Sequence, residues 1–271
     1  MAEAAKFSDV SSCVLEERAG GVATLRLNRP EKRNALNLEM SRALVHAFLR
    51  ATEDKSVKVI VITGAGPAFC AGGDLTQIRE ARSRNAAKEL TGLLTAGKEI
   101  CMAIASTSKL VIAAVNGPAA GAGMSLALAC DLRIASDRAG FAQSFAQVGL
   151  YPDFGSTYFL PRLVGLSRAS ELFYTAEMLP AAEAQRIGIV CRVFPAEQFE
   201  AESRQLAERL AAGPPLVYRD VKHAMIGEQR KELEAALDEE IRLQIHCFLS
   251  EDCAEGLAAF FEKRKPNFMG R

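Results

Sequence analysis

Within residues 22–27 the apolar Ala23, Leu25 and Leu27 alternate with Thr24 and Arg26. That period of two predicts a half-buried strand. With Gly20-Gly21 as the turn, residues 13–27 predict a β-hairpin. The period then lengthens. Asn37 is placed to cap a helix whose apolar face is Met40, Leu44, Ala47, Phe48 and Ala51. Residues 57–63 and 109–115 are nearly continuous β-branched and aliphatic runs, as buried strands require. Residues 86–106, rich in Ala, Leu and Ile, predict a long helix, and 132–135 and 188–193 predict short strands. Beyond Pro195 the pattern is helical over 197–212, 215–226, 231–249 and 252–264. Alternating strands and helices argue an α/β fold. The expected division is an α/β core over residues 1–196, carrying the site, and a helical region over 197–271.

Composition narrows the function classes. Hydrophobic residues make up 49% and charged residues 24% of the 271, which suits a folded domain with an ample core. Lys plus Arg and Asp plus Glu are both 33, so the basic footprint of a nucleic-acid binder is missing and no nucleic-acid partner is expected. The seven cysteines form no CxxC pair, and three histidines are too few and too scattered for a zinc site, so no metal is expected. An odd number of thiols with apolar neighbours suits a reducing, cytoplasmic setting. Met1-Ala2-Glu3-Ala4-Ala5-Lys6 lacks the basic start and apolar core of a secretory leader. No apolar run approaches the roughly 18 residues of a membrane span.

Two stretches concentrate the chemistry: Ala68-Phe69-Cys70-Ala71-Gly72-Gly73-Asp74 and Asn116-Gly117-Pro118-Ala119-Ala120-Gly121-Ala122-Gly123-Met124. Each follows a predicted buried strand and leads through a Gly/Ala turn to a helix start. Such elbows leave backbone N–H groups free, with little side chain in the way of a ligand. Two elbows facing each other would grip one developing oxyanion from both sides.

These residues resemble the crotonase (enoyl-CoA hydratase/isomerase) superfamily. The resemblance runs through Leu27-Asn28-Arg29-Pro30-Glu31-Lys32-Arg33-Asn34-Ala35-Leu36-Asn37, both elbows, Ala129-Cys130-Asp131-Leu132-Arg133-Ile134-Ala135 and the closing Phe260-Phe261-Glu262-Lys263-Arg264-Lys265-Pro266-Asn267-Phe268. It implies a spiral of ββα turns with a helical C-terminal trimerisation region, a homotrimer or dimer of trimers, and an acyl-CoA thioester substrate. Coenzyme A then enters only as part of the substrate, and no separate cofactor is implied. By position, the oxyanion donors are the amides of Gly73 and Ala122, the latter standing where many relatives have glycine. The loop carrying Arg33 and Ala35, with Ala71, Gly72, Asp74 and Leu75, would hold the CoA. Lys263 matches a lysine that reaches a neighbouring subunit's CoA, although a solvated helix end explains it equally well. Asp74 also fits a structural role closing its loop, and Asp131 a salt bridge or a cap.

The carboxylates separate the family's reactions. Its hydratases use two glutamates to hold and activate water, and this chain has Ser125 and Phe145 at those positions. Phenylalanine moves no proton, and serine without a partner is a poor base. One acid remains in this stretch, Asp153 in Gly149-Leu150-Tyr151-Pro152-Asp153-Phe154-Gly155. This pattern resembles the family's isomerases. With Tyr158-Phe159-Leu160-Pro161-Arg162-Leu163-Val164-Gly165, it is most similar to the ring 1,2-epoxyphenylacetyl-CoA isomerase branch. The resemblance implies that Asp153 shuttles a proton, shifting a double bond or opening a strained ring; the rival role is a helix N-cap. Burial beside Phe145, Tyr151 and Phe154 would raise its pKa toward that of a working base. Phe69, Ile78, Leu93, Phe145, Tyr151 and Phe154 are expected to line the acyl pocket, and 79–85 is expected to be a mobile loop. A hydratase or hydrolase using water placed by Ser125 and Gln147, and a non-catalytic acyl-CoA-binding subunit, are the alternatives.

Overall fold

A computed structural model describes residues 12–227 and 229–271; the segment Met1–Lys6, read above for a leader, lies outside them. The chain opens with the expected hairpin, β1 (Val14–Ala19) and β2 (Val22–Leu27), which pair antiparallel across Gly20-Gly21. α1 (Leu38–Glu53) follows, and the Asn37 side chain accepts the Met40 N–H at 2.8 Å, which satisfies one of the free donors of the first turn. Next come β3 (Val59–Gly64), α2 (Leu75–Ser83), α3 (Ala87–Ser106), β4 (Leu110–Val115), β5 (Ala119–Ala120), α4 (Ala122–Ala129), β6 (Leu132–Ser136) and β7 (Gly140–Ala142). α5 (Ser156–Val164), α6 (Leu166–Thr175), β8 (Leu179–Pro180), α7 (Ala181–Arg186) and β9 (Arg192–Phe194) lead into α8 (Phe199–Ala211), α9 (Pro215–Lys222), α10 (Arg230–Leu249) and α11 (Glu251–Glu262).

Among the described residues the main sheet has the order β1-β2-β3-β4-β6-β9, parallel from β2 onward, and β5-β7-β8 form a small second sheet. Successive side chains of a strand point to opposite faces. Thus Ile60 and Ile62 of β3 enter the large core beneath α1 and α3, while Val59 and Val61 join a smaller cluster with Phe199 and Leu206 of α8. A strand buried on both faces reads as an unbroken apolar run, which is why periodicity alone could not show its two sides. The α/β class stands as expected.

Two local expectations are corrected. The strand expected over 188–193 is present but displaced: β9 spans Arg192–Phe194, and pairing begins only at Arg192. Ile189 and Val190 both donate their N–H to the Ala184 carbonyl, so the apolar run closes α7 instead. Residues 79–83 are not loop but the second half of α2, and only 84–86 connect it to α3. The stretch is polar, but α11 and α10 hold it: the Arg79 guanidinium lies 3.8 Å from the Phe261 ring centroid, and Arg82 donates to the Phe248 carbonyl. Farther on, α9 stops at Lys222 and a wider turn runs over His223–Gly227.

Candidate active site

The first elbow is tied to the loop before it. Ala71 N–H donates to the Arg33 carbonyl at 3.0 Å, Leu36 N–H to Gly72 at 2.7 Å and Asp74 N–H to Leu36 at 2.9 Å. Asp74 caps α2 by accepting the Thr76 N–H at 3.2 Å and pairs with Arg29 at 3.0 Å, while Arg29 also donates to the Ala35 carbonyl. Asn34, fully buried, donates from Nδ2 to the Ala65 and Ala68 carbonyls. The second elbow is laced to the first, with Phe69 and Cys70 donating to the Pro118 carbonyl and Ala120 to that of Cys70. A Cβ on Gly72 would lie 2.8 Å from the Ala120 carbonyl oxygen and 3.5 Å from the Ala122 nitrogen, at a φ of +95°. Only glycine permits so close an approach with that backbone.

This lacing leaves two donors over. Ala122 is the first residue of α4, so its N–H has no intrahelical acceptor. Among the described residues neither it nor the Gly73 N–H donates to a protein group. Both residues line a cavity of about 540 Å³, with Ala71, Gly72 and Gly121. Leu75, Ile78, Leu90, Leu93, Phe145 and Phe154 give it an apolar wall, and Arg33, Gln147, Glu177 and Phe260 also border it. A second cavity, of about 490 Å³, lies on the α8 side of the sheet and contains neither of these donors nor Asp153.

Asp153 lines the first cavity and is 7% exposed. Its side chain does not cap α5: the cap residue is Gly155, and only the Asp153 main-chain carbonyl accepts from Ser156 N–H. Capping falls to Glu240 of α10, whose Oε2 accepts the Gly155 N–H at 2.7 Å and whose Oε1 accepts the Thr157 N–H at 3.0 Å and the Thr157 hydroxyl. One turn further along α10, Gln244 Nε2 donates to Asp153 Oδ2 at 3.2 Å, and Gln244 Oε1 accepts the Tyr151 N–H at 2.8 Å. Among the described residues Asp153 Oδ1 is buried with no partner. Burial therefore pushes the Asp153 carboxyl up to about 8; the Gln244 bond opposes this, and the Glu240 charge adds to it. Burial also raises Glu240, against the bonds from Thr157 and Gly155.

The other positions named from sequence scatter. Ser125 is fully buried and donates back to the Gly121 carbonyl at 3.1 Å, so it does not border the cavity. Phe69 is core, and the Tyr151 side chain lies off the cavity although its main chain is held by Gln244. Ala35 and Asp74 act behind the elbow rather than on the cavity surface. Lys263 is exposed, at the left-handed residue that ends α11. Asp131 forms the expected salt bridge, accepting from Lys222 at 2.7 Å, and also accepts the Val111 N–H. Glu240 and Gln244 escaped the sequence reading. Their signal was there: Leu233, Leu237, Glu240, Gln244 and Phe248 form one buried stripe of α10, and two polar residues in such a stripe ask for buried partners.

A mostly parallel α/β core with two laced elbows presenting free N–H groups to one cavity is the class of fold that can bind an oxyanion, and comparison with known proteins gives its family. The family model described as enoyl-CoA hydratase/isomerase matches residues 17–271. A probable enoyl-CoA hydratase of Rhodobacter capsulatus is 42% identical over 259 residues, covering 94% of this chain and 97% of that protein. The 1,2-epoxyphenylacetyl-CoA isomerase of Escherichia coli is 36% identical over 259 residues, covering 95% and 98%. The crystal structure of an enoyl-CoA hydratase from Mycobacterium avium subsp. paratuberculosis K-10 superimposes with a TM-score of 0.86 at 35% identity, covering 95% and 98%. The chain belongs to the enoyl-CoA hydratase/isomerase family, within the crotonase superfamily.

Proposed function

We propose that this chain is an acyl-CoA isomerase in which Asp153 is the sole proton shuttle. The observation that carries the reading is that, among the described residues, Asp153 is the one buried carboxylate on the cavity; by the family resemblance, Ser125 and Phe145 stand where hydratases carry glutamates. Overall identity does not separate the reactions, because a hydratase at 42% and an isomerase at 36% are both near. The thioester oxygen would sit between the Gly73 and Ala122 N–H groups. Those donors stabilise the enolate oxygen more than the ground-state carbonyl, which lowers the barrier to losing the α-proton. The Asp153 carboxylate takes that proton and becomes the acid, leaving a dienolate. It then returns the proton at the γ-carbon, so the double bond moves and no atom is gained or lost. A strained ring epoxide whose C–O bond lies β to the thioester carbonyl is a substrate class for the same first step: loss of the α-proton forms the enolate, and its collapse breaks the epoxide C–O bond as a C=C bond forms. The reaction calls for no metal or redox group beyond the CoA of the substrate. We also assign the chain a cytoplasmic setting and a trimer or dimer of trimers. Leu216, Val217, Val221 and Met225, exposed along α9 and the turn after it, support self-association.

The test is incubation with 3-enoyl-CoA in deuterated water, followed by mass spectrometry. Wild type should yield 2-enoyl-CoA that carries little deuterium, because the proton taken is the one returned, and Asp153→Asn should lose about 10²–10⁴-fold in rate, as removal of a general base does. Isomerisation that persists at the wild-type rate in Asp153→Asn would exclude Asp153 as the base. A product heavier by one water would favour a hydratase.

A further inference from the structure

The orientation of Gln244 is dictated by its surroundings. A backbone N–H can only donate, so the amide atom facing Tyr151 N–H at 2.8 Å must be the oxygen. The nitrogen therefore faces Asp153 Oδ2, at 3.2 Å, and Gln244 can offer Asp153 a donor but no acceptor. Gln244 is 2% exposed, on a helix whose previous turn is fixed by Glu240. A turn of the amide would set two donors against each other at Tyr151 and leave its nitrogen without an acceptor. Asp153 Oδ2 is thus engaged, while Oδ1 is buried and unpartnered in a residue that lines the cavity.

Resting on the isomerase reading above, we propose that Gln244 is a positioning residue that confines the mobile proton of Asp153 to Oδ1, so that one oxygen both takes the proton and gives it back. In the resting carboxylate, Oδ2 accepts from Gln244 and Oδ1 carries the free lone pair. Proton abstraction forms an Oδ1–H bond as the substrate's α-C–H bond breaks. Return forms the γ-C–H bond as Oδ1–H breaks, and the carboxylate is regenerated. A proton on Oδ2 would compete with the Gln244 N–H for the lone pairs there. The transfer therefore runs on one face of the substrate, from one fixed point, and needs no rotation of the carboxyl.

The groups facing Asp153 with charge or a titratable proton are Glu240 from α10 and Cys101 from α3, with Arg33 and Glu177 on the cavity. Cys101 donates its thiol to the Phe154 carbonyl, and burial holds it well above the ordinary thiol range, so it stays neutral. Glu240 is a like charge and works against Gln244.

Two measurements test this. In Gln244→Met, which removes the donor at similar volume, the acid limb of the kcat/KM–pH profile should move up by about one pH unit or more, the worth of a hydrogen bond to a charged group. An unmoved limb in a folded variant overturns the proposal. In infrared difference spectra of wild type against Asp153→Asn at acid pH, the protonated carboxyl should show a hydrogen-bonded C=O, because Oδ2 is then the carbonyl. A C=O band at the frequency of a free carbonyl overturns the proposal even if Gln244→Met fails to fold. The spectra require no turnover. A hydrogen-bonded band in a protein that does not isomerise would therefore sink the functional reading and leave standing only the confinement of the Asp153 proton to Oδ1 by Gln244.

Discussion

Glu240 and Gly155 lie 85 positions apart in the chain, yet the Glu240 carboxylate accepts the Gly155 N–H at 2.7 Å, next to the turn that presents Asp153. With the Thr157 N–H and hydroxyl on its other oxygen, Glu240 supplies the cap that α5 lacks locally. The carboxylate is also suited to the positive end of the helix dipole.

Removing this clamp should have two separable effects. Glu240→Ala leaves the buried Gly155 N–H without an acceptor and should destabilise the fold by at least about 1.5–3 kcal/mol, read from denaturant midpoints. Glu240→Gln keeps an acceptor but removes the charge that raises Asp153. Its kcat/KM–pH acid limb should shift down, opposite in sign to Gln244→Met; an upward shift would show that the Glu240 charge is not felt at Asp153.

Asp153 titrates near 8 in the folded chain against an ordinary value of 3.8. Between those values the folded state binds the extra proton, so its burial weakens the fold progressively as pH rises from about 4 to 8. Asp153→Asn should therefore leave stability almost unchanged at pH 4 and raise it at pH 8.5, by a few kcal/mol at about 1.4 kcal/mol per pH unit, read as a higher Tm at the higher pH only. An equal Tm change at both pH values would contradict the raised pKa. Catalysis runs the other way, since the base must be ionised: wild-type kcat/KM should climb with pH and level off above about 8.

The oxyanion donor on α4 can be deleted by a single substitution at the helix start. Ala122 is the first helical residue, where proline is tolerated because its missing N–H would have no helical partner. Gly121 before it sits at φ +49° and ψ −128°, near the mirror image of the extended region that a residue preceding proline prefers. Ala122→Pro should lower kcat about 10²–10³-fold while circular dichroism stays native. Full activity would remove Ala122 from the oxyanion hole.

Phe154 follows Asp153 at φ +55°, and its ring lies against α3, where Gly97 leaves room. A Cβ at Gly97 would stand 2.4 Å from the ring, so Gly97→Ala must displace Phe154 toward the cavity it lines. Overpacking of this kind costs about 1–3 kcal/mol. Activity should fall most for the longest acyl chains, measured as kcat/KM across a chain-length series; a uniform fall would mean that Phe154 does not bound the acyl group.

Local pattern carried much of the fold. The hairpin, α1 with its Asn37 cap, the buried strands and the two elbows all rest on residues near one another in the chain, where period, capping and turn chemistry act. Family membership was legible for the same reason, since its motifs are short and ordered. The α8 to α11 helices were visible from their periodicity, but not what they touch. The residues 79–83 read as loop because their side chains are polar; their Arg, Glu and Ala suit a helix, and Phe261 and Phe248, far off in sequence, hold it in place.

The chain by itself determined that two Gly/Ala elbows would free main-chain donors and that Asp153 would be the acid left in its stretch, because both follow from residue type and local spacing. Only the tertiary structure decided what state that acid takes. Its burial, the Gln244 donor on one oxygen and the bare second oxygen all depend on α10 packing against the turn from 91 residues away, and the electrostatics of a buried carboxyl are set by the atoms around it, not by its neighbours in sequence.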